Sequence, residues 1–128
     1  MAKKQARIGY VDGFVLVVPK RKVAAYRKVA NKAGTVWMKH GALDYKECVG
    51  DDLKPSAGSM SHLPFPKMAK VKAGETVVFS YVGYKSRAHR DAVNKKVMKD
   101  PLMTDQSEPM PFDMKRMAYG GFKVIVSK

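Results

Sequence analysis

The chain has 128 residues, a length at which one hydrophobic core forms readily and two independent domains do not fit. Hydrophobic residues make up 45% of the chain and charged residues 28%, which excludes an intrinsically disordered protein, and no stretch approaches the roughly 20 uninterrupted apolar residues of a membrane-spanning helix. The formal net charge is +14, and residues 1–40 hold ten Lys and Arg against one acid, so a negatively charged partner has to be weighed against simple solubility.

These limits predict a single domain over residues 1–128, with a basic N-terminal extension at residues 1–7. The single cysteine, Cys48, cannot form an intrachain disulfide and is expected to be a free, buried thiol. An unpaired cysteine suits a reducing compartment, so we expect a cytoplasmic protein that does not enter a membrane.

The first 40 residues predict a strand followed by an amphipathic helix. Ile8 to Val18 is a nearly continuous β-branched and aromatic run, which is typical of a central strand buried on both faces. From Lys20 to His40 the apolar residues recur at spacings of three and four and form one helical stripe. Gly34 marks a place for a break or bend in this helix, and Gly41 is a suitable stop.

The next segment predicts a second strand and a long loop. Leu43 to Val49 alternates between two faces, which places Glu47 on the half-buried face together with Tyr45. Residues 51–72 are rich in Pro, Gly and Ser and have no sustained period, so they predict a loop with at most one short helical turn.

The last third predicts strand, helix and strand. Thr76 to Lys85 reads as the third strand, and Ser86 is a suitable N-cap for a second helix. A second polar loop is expected over residues 101–116. The final strand is predicted from Met117 to Val126, where Gly120-Gly121 indicates a bulge or a close approach of another backbone.

The order of these elements predicts an α+β protein of the ferredoxin-like split βαββαβ plan. In that plan a four-stranded antiparallel sheet carries two helices on one face. The other face is left uncovered, and a second copy of the chain can bury it, which predicts a homodimer. The alternative is a monomer whose open sheet face binds a ligand.

Four segments resemble a known family: Tyr10 to Phe14, Trp37 to Asp52, Tyr84 to Asn94, and Met110 to Phe122. Together they are similar to the YbaA-like family of bacterial proteins, a domain-of-unknown-function family in the dimeric α/β-barrel superfamily. The resemblance covers nearly the whole chain and implies a ferredoxin-like fold and a barrel-shaped homodimer, but no reaction. The departures are the basic N-terminus and a longer Pro55 to Pro64 loop.

Asp12 is the first candidate for chemistry, because an ionised carboxylate inside an apolar strand is costly unless it is paired. It shares a strand face with Tyr10 and Phe14. If that face lines a dimer barrel, Asp12 could act as a general base or orient one. The alternative is a structural salt bridge to Arg116 or Lys85.

His40 and Glu47 are the other two catalytic candidates. His40 lies one helical turn from Trp37 at the C-terminus of the first helix, where a protonated histidine is favoured and could serve as an acid or donor. In the alternative interpretation Trp37 belongs to the core and His40 caps the last carbonyls. Glu47 is an inward-facing carboxylate on its strand.

The start of the second helix predicts an anion site. The first turn of a helix has free backbone N–H groups, and here it also carries the basic side chains of Arg87, His89 and Arg90. Together these hydrogen-bond donors favour binding of a carboxylate or phosphate group. The alternative pairs the arginines with Asp113, Asp91 or the Asp51-Asp52 turn. The ligand-binding candidates are, in chain order, Trp37, Tyr81, Arg87, His89 and Arg116.

The basic residues of the first helix form the alternative site. Arg21, Lys28, Lys32 and Lys39 fall on one stripe, which could contact nucleic-acid phosphates without sequence preference or could simply be a solvated face. No metal or cofactor is expected. The candidate ligands do not show the spacings in the sequence that are typical of metal sites; they are His40, His62, His89 and Cys48.

The sequence therefore favours a homodimeric protein that binds a small molecule. Cofactor-independent catalysis on an aromatic or carbonyl compound is an extension of this interpretation. The alternatives are a nucleic-acid-binding module and a structural or regulatory dimer without catalysis.

Overall fold

The structure, a computed structural model, describes residues 7–54, 61–105 and 109–128. Residues 1–6 of the predicted extension and residues 55–60 of the predicted long loop lie outside this part. The strands are β1 (Tyr10–Pro19), β2 (Asp44–Val49), β3 (Glu75–Tyr84) and β4 (Ala118–Lys123). The helices are α1 (Val23–Lys39), α2 (Phe65–Met68), α3 (Arg87–Val97) and α4 (Pro101–Thr104), with 3-10 turns at Lys20–Lys22 and Met114–Arg116.

The fold is α+β, with an open, antiparallel four-stranded sheet in the order β2-β3-β1-β4. β1 pairs with β3 and β4, so the prediction of a central first strand is confirmed. The β1–β4 register runs without interruption from Tyr10 opposite Lys123 to Val15 opposite Ala118, so the predicted bulge is absent. Gly121 instead leaves room for the Tyr10 side chain, which a Cβ atom there would overlap.

Helices α1 and α3 cover the same face of the sheet. Even-numbered residues of β1 point toward them, because side chains alternate along a strand. One buried cluster consists of Leu16, Val18, Tyr26, Ala30 and Val78, and the other of Val36, Ala42, Val82, Tyr84, Val93 and Val97. Removal of this apolar surface from water is the main force that holds the two layers together.

Helix α1 begins after the 3-10 turn and runs through Gly34 without the predicted break. A Cβ atom on Gly34 would lie 2.8 Å from the ring of Tyr45, so the glycine serves close packing against β2 and not a bend. The helix ends at His40, and Gly41 follows with a φ of +110°, as expected of a C-terminal stop.

The other face of the sheet is only partly covered. The register places Val11, Val15, Phe79 and Phe122 on it. Phe79 is 45% exposed and Phe122 is 60% exposed. The ring of Phe65 in α2 lies 6.5 Å from that of Phe79, so α2 covers one part of this face, which we call the open face.

Cys48 also points to the open face and is exposed, so the prediction of a buried thiol is wrong. The reason is the alternation along β2, which turns Tyr45 and Glu47 toward the helices and Cys48 away from them. Because β2 is an edge strand, only one neighbouring strand flanks the thiol.

The segment after β3 begins as predicted, since the Ser86 hydroxyl accepts a hydrogen bond from the His89 N–H at 3.1 Å and caps α3. Residues 101–105 and 109–116 contain more regular structure than the predicted loop, and residues 106–108 lie outside the described part. The described stretches include α4, whose N-cap is Asp100, and a 3-10 turn.

Among the described residues, no helix has the length and apolarity required to cross a membrane.

Candidate functional site

Glu47 lies between two cavities on the helix-covered side of the sheet. An outer groove of about 880 Å³ runs between α1 and β2. An inner cavity of about 160 Å³ lies between the sheet, α1 and the side chains of Met103, Met110, Phe112, Met114 and Met117. The residues common to both linings are Tyr26, Ala30, Tyr45 and Glu47. Glu47 is therefore the charged group at the junction of the two spaces.

Two tyrosines hold the Glu47 carboxylate in place. Tyr26 donates its phenolic hydrogen to Oε2 at 2.7 Å, and Tyr45 donates to Oε1 at 2.7 Å. Tyr26 projects from the buried stripe of α1, and Tyr45 precedes Glu47 by two residues on the same strand face. Burial, and next to it the Glu47 carboxylate, raises the pKa of both tyrosines, so both remain hydrogen-bond donors at neutral pH.

The inner cavity has mostly apolar walls. The sheet contributes Phe14, Leu16 and Val82, and α1 contributes Trp37. The outer wall carries Phe112 and four methionines: Met103, Met110, Met114 and Met117. Methionine side chains are flexible and polarisable, so such a wall adapts to guests of different shape and forms favourable sulfur–aromatic contacts.

The outer groove is more polar and leads to solvent. Its α1 wall presents Arg27, Asn31, Thr35 and Met38, which follow one another at helical spacing. All four are exposed. Glu47 lines this groove as well, so a ligand bound along this wall can contact its carboxylate.

Asp12 lies elsewhere on the same sheet face and is 1% exposed. Its Oδ1 accepts from Arg90 Nη1 at 2.7 Å, and its Oδ2 accepts from the Tyr84 hydroxyl at 3.2 Å. Asp12 therefore forms a structural salt bridge, as the alternative interpretation predicted. Its partner, however, is Arg90 and not Arg116 or Lys85. The carboxylate points under the helices and not onto the open face, because α3 covers this side of β1.

Trp37 links the Asp12 network to the inner cavity. Its indole N–H lies 3.0 Å from the Tyr84 hydroxyl and 3.1 Å from Asn94 Oδ1. Trp37 therefore packs in the core, as the alternative interpretation predicted, and also lines the inner cavity. Arg90 also donates to Asp91 at 2.8 Å, which confirms one of the predicted arginine pairs.

His40 and Arg116 belong to separate ion pairs. His40 Nε2 lies 2.7 Å from Asp100 Oδ2, and this bond, with the backbone N–H of Leu102, holds the pKa of Asp100 below its usual range. Arg116 donates to both carboxylate oxygens of Glu75, at 2.7 and 2.9 Å. The structure therefore does not bring His40 or Arg116 to Glu47.

The remaining predicted ligand-binding residues do not converge either. Tyr81 points to the open face and donates to Asp44 Oδ2 at 2.9 Å. His89 Nδ1 accepts the backbone N–H of Lys85 at 2.9 Å, and Arg87 is exposed. Of the predicted catalytic and ligand-binding residues, only Glu47 and Trp37 line the two cavities.

The basic stripe is solvent-facing as its spacing predicts, since Arg21, Lys28, Lys32 and Lys39 are all exposed. Lys39 lies 3.5 Å from Asp100, so part of its charge is already compensated.

The sequence matches a family described as protein of unknown function (DUF1428) over residues 9–114, which is most of the chain. The chain belongs to the DUF1428 family. It is 44% identical over 119 residues to the uncharacterized protein YbaA of Escherichia coli strain K12, covering 93% of this chain and 98% of the relative. The YbaA of Shigella flexneri is equally similar. The resemblance inferred from the four segments is thus confirmed, and it assigns no activity to the DUF1428 chain.

The tyrosine partners of Glu47 were not predicted, although the sequence of the DUF1428 chain carries a signal for them. Tyr26 falls on the apolar stripe of α1, and Tyr45 shares the inward face with Glu47. A buried tyrosine hydroxyl usually needs a hydrogen-bond partner, so two inward tyrosines near one inward carboxylate indicate a shared site.

Proposed function

We propose that this DUF1428 protein is a homodimeric small-molecule-binding protein whose ligand occupies the cavities at Glu47. The observation that carries the proposal is the Glu47 carboxylate, which is oriented by two tyrosines at the junction of an open groove and an apolar cavity. Binding pockets combine a largely apolar wall with a few placed polar groups in this way.

Catalysis is not part of the proposal, because the three catalytic candidates lie in separate hydrogen-bonded groups. Asp12 is bonded to Arg90, and His40 is bonded to Asp100. Asp12 and Glu47 stand two strands and two residues apart in the sheet, which corresponds to roughly 12 Å between their backbones. A base and an acid that act on one reacting group have to come closer than this.

The dimer part of the proposal rests on the open face. Phe79 and Phe122 expose about half of their side chains there beside Val11 and Val15. The strand order β2-β3-β1-β4, with α1 and α3 on one face, supports the ferredoxin-like class, in which a second sheet can cover the exposed side. The occupant we propose is a second copy of this chain.

The ligand site can be tested by filling the inner cavity. Ala33 lines it, so Ala33→Leu should occupy space that a ligand needs. Ala24 lies on the exposed side of the same helix, and Ala24→Leu is the matched control. Trp37 is the only tryptophan and lines the cavity, so its fluorescence reports ligand entry directly.

We expect at least one single-ring aromatic probe to change the fluorescence of the wild-type protein and of Ala24→Leu, and to bind Ala33→Leu at least tenfold more weakly. If no cationic, neutral or anionic probe binds at millimolar concentration, or if both variants bind alike, the proposal is wrong. A dimer without a ligand would then be the better interpretation.

A second candidate function, nucleic-acid binding, is favoured by the exposure of the basic stripe. If Arg21, Lys28 and Lys32 each neutralise one phosphate of a single strand, the affinity should fall roughly 20-fold between 50 and 200 mM salt. An electrophoretic mobility assay with a 20-nucleotide RNA, comparing the wild type with Lys28→Gln/Lys32→Gln, tests this. Absence of retardation at 50 mM salt would eliminate this candidate.

A further inference from the structure

Among the residues that the structure describes, the Glu47 carboxylate has neutral hydrogen-bond donors and no cation in an ion pair with it. Both of its bonds come from phenolic hydroxyls. Within residues 7–54, 61–105 and 109–128, no Lys, Arg or His forms an ion pair with Glu47. Two oxygens offer about four lone-pair sites, so room for further donors remains on the cavity side.

This arrangement differs from that of three other carboxylates that are buried or half-buried in the protein. Asp12 is paired with Arg90, Glu75 with Arg116, and Asp100 with His40 and Lys39. A carboxylate withdrawn from water is normally compensated by a positive charge. Glu47 departs from that pattern, and it borders both cavities.

The volume of the inner cavity indicates the size of the group that lies next to the carboxylate. Its volume is about 160 Å³. An engineered apolar cavity of about 150 Å³ in another protein holds benzene, so a space of this size takes one six-membered ring. The methionine wall suits such a ring, because thioether sulfur makes favourable contacts with aromatic edges.

We infer that the ligand is a small organic cation: a protonated amine joined by a short linker to a single aromatic ring, with the nitrogen at Glu47 and the ring in the inner cavity. This inference rests on the proposed function and narrows it to a ligand class. The negative charge of Glu47 favours a protonated amine, and the size and apolar walls of the inner cavity favour a single aromatic ring.

Among the described residues of the groove wall, Arg27 is the one charged side chain besides Glu47. It repels a simple amine only weakly, because it is exposed and its field is screened by solvent. It can instead bind the carboxylate of a zwitterion. Phenylalanine, which adds a carboxylate beside the amine, therefore distinguishes an amino-acid ligand from a simple amine.

The test titrates the full chain at pH 7 with 2-phenylethylamine, with its neutral isostere 2-phenylethanol and with phenylalanine, using Trp37 fluorescence. We expect the amine to bind at least tenfold more tightly than the alcohol. In Glu47→Gln this preference should fall to about threefold or less, while alcohol binding persists. Tighter binding of phenylalanine than of the amine, lost in Arg27→Gln, would extend the class to amino acids.

Equal binding of amine and alcohol to the wild type would overturn the cation inference and leave the proposed ligand site standing. Absence of binding by all three probes, and by the wider probe panel, would overturn both. Since Glu47→Gln leaves one acceptor oxygen for two tyrosine hydroxyls and replaces the other with an NH2 donor, its unfolding temperature has to be measured in parallel. Tyr45→Phe, which removes one bond but keeps the carboxylate, should retain the preference for the amine.

Discussion

Asp12 and Arg90 form a buried ion pair that connects the central strand to α3. Arg90 Nη1 lies 2.7 Å from Asp12 Oδ1, and the two side chains are 14% and 2% exposed. The guanidinium group also lies 5.1 Å from the centre of the Tyr10 ring. The pair satisfies a carboxylate that would otherwise be very costly inside an apolar sheet.

Replacement of Arg90 by Met should lower the free energy of unfolding by about 3–5 kcal/mol, because Asp12 is left as an uncompensated buried charge. Urea denaturation followed by circular dichroism measures this. Asp91→Asn removes the charge of the other acidic partner of Arg90, which is 59% exposed, and should change stability by no more than about 0.5 kcal/mol. The double variant Asp12→Asn/Arg90→Met should be more stable than Arg90→Met alone. A double variant that is less stable would contradict a charge-based explanation.

Gly34→Ala should destabilise the protein although alanine is the better helix former. The substitution gains about 1 kcal/mol of helix propensity, but the new Cβ would meet the Tyr45 ring at 2.8 Å. Overpacking of this kind costs about 1–3 kcal/mol, so we expect a net loss and a weaker Tyr45–Glu47 hydrogen bond. Lys32→Ala on the exposed side of α1 is the control. A stabilised Gly34→Ala variant would mean that α1 and β2 are not packed closely here.

The Glu75–Arg116 pair predicts an acid-sensitive contribution to stability. The Arg116 guanidinium, and next to it the backbone N–H of Lys72, lowers the pKa of Glu75 from 4.5 to about 2. A carboxylate whose pKa is lower in the folded state stabilises the fold above its unfolded pKa and loses this effect as the pH falls toward the folded value.

The difference in unfolding temperature between the wild type and Arg116→Gln should therefore be constant above about pH 5.5. It should shrink steadily as the pH falls from 4.5 toward 2. Thermal melts at half-unit pH intervals measure it. A difference that is as large at pH 2.5 as at pH 7 would argue against the ion pair as its source.

The open face predicts a self-association that one charge can disrupt. Phe122 is 60% exposed, so Phe122→Glu should leave the monomer folded while placing a charge in the proposed contact. We expect sedimentation velocity at 20 µM to give a dimer for the wild type and a monomer for this variant. Met98 is 58% exposed on the helix layer, and Met98→Glu should remain dimeric. A monomeric wild type would refute the dimer.

The sequence predicts the order of strands and helices because their signals are local. The alternation of β2 also identifies Glu47 as an inward carboxylate. It does not identify Tyr26 as its partner, because that contact depends on how α1 rotates against the sheet. The Asp12–Arg90 pair spans 78 residues, and only the docking of α3 brings the two together. For the same reason the alternation groups Asp12 with Tyr10 and Phe14 but cannot tell which face the helices cover.

The central claim, that a small molecule occupies the cavity at Glu47, is tested most directly by methyl NMR. With ¹³C-methyl methionine labelling, the four cavity methionines (Met103, Met110, Met114 and Met117) report on the site, whereas Met68 and Met98 are internal controls. Titration with 2-phenylethylamine should shift the signals of the cavity methionines in a saturable manner and leave the controls unchanged. Signals that stay in place at millimolar concentrations of every cationic, neutral and anionic probe, or that move equally at all six methionines, would contradict the claim.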